Sequence, residues 1–90
     1  MRPVNRPNPF TGRTTIRYAL PVAAKVSLEV FNLKGERVAA LVEEEQGPGE
    51  HSVRFGPGAP GVRGTLASGI YFYRFRAGSF TATHRMVMMN

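Results

Sequence analysis

Any chemistry in this chain would have to come from very few side chains. There are two histidines, His51 and His84, no cysteine, no aspartate, and six glutamates, of which Glu43, Glu44 and Glu45 are consecutive. Acid–base catalysis needs an acid and a base within hydrogen-bonding reach, and a zinc site needs three or four His, Cys or carboxylate ligands at short spacing. His51 and His84 stand on separate segments with no acidic residue at ligand spacing, so each reads as structural. The run Glu43–Gly49 reads as a solvated polar turn rather than a cation site. The glycine-rich stretch Gly56–Gly64 (GPGAPGVRG) has neither the strand–loop–helix setting nor the Lys-Ser/Thr ending of a phosphate cradle. Met86, Met88 and Met89 could form an adaptable apolar surface, although methionines alternating along a strand are more often core. The absence of cysteine excludes disulfides, thiolate metal sites and a thiol nucleophile. The expectation is a protein that is not an enzyme and holds no cofactor or metal.

Twelve Lys and Arg against six Glu give a formal charge of +6, a balance that raises nucleic acid as a partner. The pattern argues against it. Arg2, Arg13, Arg17, Lys25, Arg37, Arg54, Arg63, Arg74 and Arg85 are dispersed over strand positions and turns rather than gathered in one block. A solvated basic face that keeps the domain soluble and blunts sheet edges is the simpler expectation. The opening MRPVNRPNPF lacks the apolar core of a signal peptide, and no run of about 18 apolar residues offers a membrane span. An exported protein would carry its signal elsewhere, and Met1 reads as the start of a piece cut from a longer chain.

At 90 residues the chain can build one hydrophobic core. Ten Gly and seven Pro favour frequent turns over long helices. Alternating apolar and polar residues mark strands over Thr15–Leu20, Lys25–Phe31, Arg37–Val42, His51–Phe55, Gly69–Ala77 and Phe80–Met88. Both faces of Arg37–Val42 are apolar, so its inward face stays open between Val38 with Ala40 and Ala39 with Leu41. Asn32–Gly35 and Ala77-Gly78-Ser79 supply hairpin turns, with Gly35 as the positive-φ residue. Residues 56–68 read as a long surface loop, and Val4–Asn8 as a further possible strand. Such a series suggests an all-β, immunoglobulin-like antiparallel β-sandwich of about seven strands, one domain over residues 1–90 with 1–8 as linker or first edge strand. Within it, Tyr71 is placed to form a tyrosine corner, its hydroxyl bonded to backbone near Leu66.

The order of motifs resembles a known family. Asn8-Pro9-Phe10 is followed by TTIRYALP (14–21), VSLEVFNLKGERVAALV (26–42), GEHSVRF (49–55), LASGIYFYRF (66–75) and HRMVMM (84–89). From about Asn5 to Met89 this is similar to the C-terminal sorting domain of type IX secretion cargo, and to the related immunoglobulin-like domain of flagellar hook-capping proteins. The matching residues are Asn8, Pro9, Phe10, Gly35, Leu66, Gly69, Tyr71 and Tyr73, with Arg85, Met86 and Val87 at the end. Phe55 stands where the family often has Trp, and Met89 where a second basic residue is common.

The resemblance implies a module behind N-terminal cargo domains, exported through the periplasm and read by the type IX outer-membrane machinery, with the cargo released or fixed at the cell surface. Arg85, Met86, Val87, Met88 and Met89 would then be the docking signal, on a terminal strand that is short and easily frayed. A chain ending just after its last strand suits the sorting reading over the hook-capping one. A carbohydrate-binding accessory domain would need exposed aromatics, for which Phe31 and Phe72 are the candidates.

Overall fold

The computed structural model describes residues 2–89, and Met1 and Asn90 lie outside the described residues. Its elements are all strands: β1 (Val4–Arg6), β2 (Phe10–Thr11), β3 (Thr14–Leu20), β4 (Ala24–Asn32), β5 (Arg37–Gln46), β6 (Gly49–Phe55), β7 (Gly69–Ala77) and β8 (Phe80–Met89). They form two sheets, of order β1-β3-β6 and β2-β8-β7-β4-β5. Every ladder is antiparallel except the short parallel pairing of β2 with β8. Pro7-Asn8-Pro9 carries the chain from the first sheet to the second, and both X–Pro bonds there are cis.

The period-two pattern places the core between the sheets. Ile16, Tyr18, Leu20 and Phe55 on one sheet meet Val26, Leu28, Val30, Tyr71, Tyr73, Phe75, Met86 and Met88 on the other, all buried. Tyr18 and Phe75 approach to 4.7 Å between ring centroids, and Phe55 meets Tyr71 edge-on at 5.8 Å. This is the sandwich-like all-β arrangement that the alternation predicts.

Several expectations from the sequence are corrected or completed by the structure. Phe10–Thr11 is a strand in its own right, making eight strands rather than about seven. Glu43–Gln46 is no turn but the end of β5, where Glu43, Glu44, Glu45 and Gln46 pair with Ser27, Val26, Lys25 and Ala24. A polar composition resembles a turn, but here the partner strand holds it extended. The inward face of β5 has no single answer, because the register breaks on either side of Ala39-Ala40 and leaves Val38 and Leu41 unpaired. Only Ala39 of the four is fully buried.

Finally, the terminal strand is neither short nor free to fray: β8 has ten residues and lies between β2 and β7. Residues 56–68 also do more than loop over the surface. Ala40 N–H donates to the Gly61 carbonyl (3.2 Å) and Arg63 N–H to that of Val38 (2.9 Å), so the segment flanks β5. Gly61 (φ +86°) lies so close that a Cβ there would strike the Ala40 carbonyl.

Candidate functional site

The residues singled out by sequence fall into two groups, and the fold brings one of them together. Asn8 is exposed in the crossover between β1 and β2, yet its amide reaches the other end of the chain. Its Nδ2 donates to the Arg85 carbonyl (3.2 Å), and its Oδ1 accepts from the Val87 N–H (3.0 Å). A side-chain amide carries one donor and one acceptor in nearly the spacing of a peptide group, so Asn8 continues the edge of β8 where β2 has not yet begun. Two residues on, Phe10 is fully buried, its ring edge-on to Phe55 at 6.1 Å. Phe10 and Thr11 pair with Met88 and Met89. Pro9 is exposed between them.

Beneath this clamp lies a buried polar cluster that the sequence did not reveal. Asn5, 8 % exposed, donates to Thr14 Oγ1 (3.3 Å) and to the Met86 sulfur (3.8 Å). Thr14 Oγ1–H donates in turn to the Pro7 carbonyl (2.8 Å). Nothing in the local sequence marks Asn5 and Thr14 as buried, and only contacts spanning up to 81 residues reveal their partners.

Along the proposed docking signal, the alternation of β8 divides the side chains. Met86 and Met88 are buried in the core, whereas Arg85 and Met89 are exposed and Val87 is half-buried on the outer face. Arg85 lies opposite Phe72, Val87 opposite Ile70, and Phe72 opposite Phe31. The outer face of the five-stranded sheet thus carries a half-buried apolar row, Phe31, Phe72, Ile70 and Val87, beside Arg85. Arg74 lies 5.0 Å above the Phe31 ring and 3.0 Å from Glu29, whose carboxylate also meets Arg37 at 2.9 Å. The hydrogen bond from Arg37, then that from Arg74, holds the Glu29 carboxyl below its usual pKa.

The remaining motif residues build the frame. Gly35 (φ +85°) closes the β4–β5 turn, where Asn32 Oδ1 accepts from Lys34 N–H (3.0 Å) and Glu36 N–H (2.9 Å). Gly69 opens β7. Tyr71 donates its hydroxyl to the Ala67 carbonyl, one residue beyond the expected Leu66, which is itself half-buried against the core. Tyr73 donates to the Pro3 carbonyl (3.4 Å), and burial pushes its pKa up to about 12. Burial raises those of Tyr18 and Tyr71 as well.

The two histidines do not meet. His51, on β6, stacks against Tyr18 at 5.5 Å and bonds the Gly47 carbonyl through Nε2 (2.8 Å). His84, on β8 in the other sheet, lies 5.5 Å from the Tyr73 ring. Among the described residues no three His, Cys, Asp or Glu side chains are grouped to hold a metal ion. No protein-family model matches this chain, and a comparison with curated proteins finds no significant match.

Proposed function

We propose that this chain is a non-catalytic sorting and docking module of a larger exported protein, read by type IX outer-membrane machinery, on an immunoglobulin-like scaffold. The observation that carries the reading is the Asn8 clamp. Asn8 of the Asn8-Pro9-Phe10 box lies 77 residues from Arg85 and 79 from Val87, and joins that box to the Arg85-Met86-Val87 segment by two hydrogen bonds to backbone. A motif at each end is what a module needs if its terminal strand must be presented in one fixed register.

The strand order supports the scaffold. The chain crosses repeatedly between two facing sheets, staying within one sheet only at the β4–β5 and β7–β8 hairpins, with the N-terminal segment divided between the sheets as β1 and β2. The surface offered to a receptor is then Arg85, Val87 and Met89 along β8, with Ile70 and Phe72 beside them. Met86 and Met88 anchor that strand from below. Arg85 supplies orientation toward an acidic receptor, and the apolar row supplies contact area.

The test is export of a reporter fused ahead of the module, with a general secretory signal, in a host with type IX machinery. Deleting the chain from Arg85 onward would remove Met86 and Met88 from the core and confound sorting with unfolding, so surface substitutions serve better. Arg85→Glu with Val87→Asp should leave the fold intact and hold the reporter in the periplasm, whereas the natural sequence passes the outer membrane. Equal export of both would defeat the proposed signal, and export of neither would favour the assembly-module reading.

A further inference from the structure

A strand at the rim of a sheet carries unpaired backbone N–H and C=O groups, and proteins usually cover or blunt it. The edges here are β1 and β6 in one sheet and β2 and β5 in the other. β1 is three residues long between Pro3 and Pro7. β2 has two residues, and β8 beside it is capped by Asn8. β5 carries two bulges and three glutamates, with Gly61–Arg63 hydrogen-bonded along it.

β6 has no proline, bulge or covering segment along it, and its charges are one of each sign, Glu50 and Arg54. Its seven residues pair with β3 alone, and among the described residues no other group hydrogen-bonds the backbone of Glu50–Arg54. A groove of about 590 Å³ runs beside it, lined by Ser52, Val53 and Arg54 of β6, by Thr15 and Arg17 of β3, and by Leu41 and Pro60.

The sequence of that edge, Gly-Glu-His-Ser-Val-Arg-Phe, is complementary to itself. Laid antiparallel on a second copy about Ser52, it sets Glu50 opposite Arg54 of the other copy, Arg54 opposite Glu50, and His51 opposite Val53. Glu50, Ser52 and Arg54 are all exposed on the outer face, so both charge pairs fall side by side on that face. Opposite charges directly across an antiparallel pair favour it, and like charges disfavour it. A shift of two residues in either direction removes both pairs, and parallel pairing would bring Glu50 against Glu50. Neither residue is engaged at home: both ion pairs among the described residues belong to Glu29.

We propose that β6 is a homodimerisation edge, joining two copies through an isologous antiparallel pairing centred on Ser52. The result is one six-stranded sheet of order β1-β3-β6-β6-β3-β1, with the outer face of β8 left free. This inference does not depend on the sorting reading.

Sedimentation equilibrium over a concentration series should show a monomer–dimer equilibrium. Arg54→Glu and Glu50→Arg each turn both charge pairs into repulsions and should each weaken the dimer about ten-fold or more. The double variant carrying both substitutions exchanges the charges and should recover the natural affinity within about three-fold. Circular dichroism checks that each variant is folded.

A second measurement uses the absence of cysteine from the chain. Ser52 would face its own copy at a Cα separation of roughly 4.5–5.5 Å, within disulfide range. Under mild oxidation Ser52→Cys should form a disulfide dimer much faster than Thr83→Cys, an exposed position on β8. A monomer at all concentrations, a dimer indifferent to both single charge reversals, a double variant no better than the singles, or equal oxidation of the two cysteine variants would each overturn the proposal.

Discussion

The two flanks of the sandwich treat the same physical problem differently. On one flank β8 is bonded at its end by β2 and capped by the Asn8 side chain, which substitutes for a strand with a single amide. On the other, β6 runs seven residues with backbone groups unpaired on its outer side. The difference teaches that closure is local and is achieved by residues remote in sequence. One flank receives a side chain aimed at named backbone atoms, and the other keeps its outer backbone groups unpaired.

The comparison breaks most severely if the closed flank loses its anchor. Phe10→Ala removes a buried ring between Phe55 and the end of β8 and should cost about 3–5 kcal/mol in urea unfolding, as should Tyr71→Ala. A loss under about 1 kcal/mol for Phe10 would mean that β2 merely lies on the surface and that Asn8 alone closes this flank.

Asn8→Ala tests the clamp without removing a core side chain, at the cost of one long bond to Asn5 Oδ1 (3.5 Å). Two partly exposed hydrogen bonds are worth about 1–2 kcal/mol together, and the local signature is faster amide exchange at Val87. Asn8→Asp keeps the acceptor for Val87 but sets a carboxylate against the Arg85 carbonyl, so it should be at least as harmful as Ala. Amides on the free side of β6 should exchange quickly in dilute solution whichever residue stands at position 8. Unchanged exchange at Val87 in both variants would remove the distinction between the flanks.

How much of this could be read beforehand depended on the range of the forces involved. The strands β3, β4 and β7 were legible because Ile16, Tyr18 and Leu20, then Val26, Leu28 and Val30, then Tyr71, Tyr73 and Phe75 recur with period two, with residues such as Arg17, Ser27, Glu29 and Arg74 between them, and all nine are buried. The turn at Gly35 was legible from local chemistry. The face of β5 was not, because bulges at Val38 and Leu41 break the period on which such reading depends. Glu43–Glu45 have turn-like composition and are held extended by β4, a partner outside any local window. Two residues, Phe10 and Thr11, are too few to show a period. Of the proposed site, the motif residues could be named from sequence, but the bond from Asn8 to Arg85 and Val87 could not.

Alkaline titration gives a smaller effect that reports on the interior joining both flanks. Tyr73, on the closed side, has its pKa pushed from 10.0 to about 12 by burial, and those of Tyr18 and Tyr71 are raised as well. A tyrosine whose folded pKa exceeds its unfolded value contributes stability that is complete below about pH 10 and is lost as pH rises through the folded value. Stability should therefore decline from about pH 10 toward 12, with phenolate absorbance appearing last for Tyr73. Ordinary titration of all three tyrosines in the folded protein would show that the core admits water between the sheets.

The smallest expected effect concerns the β5 side, where charge rather than a backbone partner could be thought to hold the edge. Glu29 on β4 bonds Arg37 of β5 and Arg74 of β7, tying three adjacent strands across the outer face. Both arginines are substantially solvent-exposed, with side-chain exposures of 44 % and 37 %, so water and salt compete for the pairing. Exposed ion pairs of this kind are worth at most about 1 kcal/mol, and less at high ionic strength. The carboxyl of Glu29 is held below its usual pKa, so its contribution is present above the ordinary carboxylate range and disappears as pH falls through the lower folded value. Glu29→Gln should therefore cost under about 1 kcal/mol at neutral pH, and the gap from the natural protein should narrow with added salt and close in acid. A gap above about 2 kcal/mol that ignores salt and pH would place the hold on β5 in this charge cluster, instead of in its ladder with β4 and the flanking Gly61–Arg63 segment.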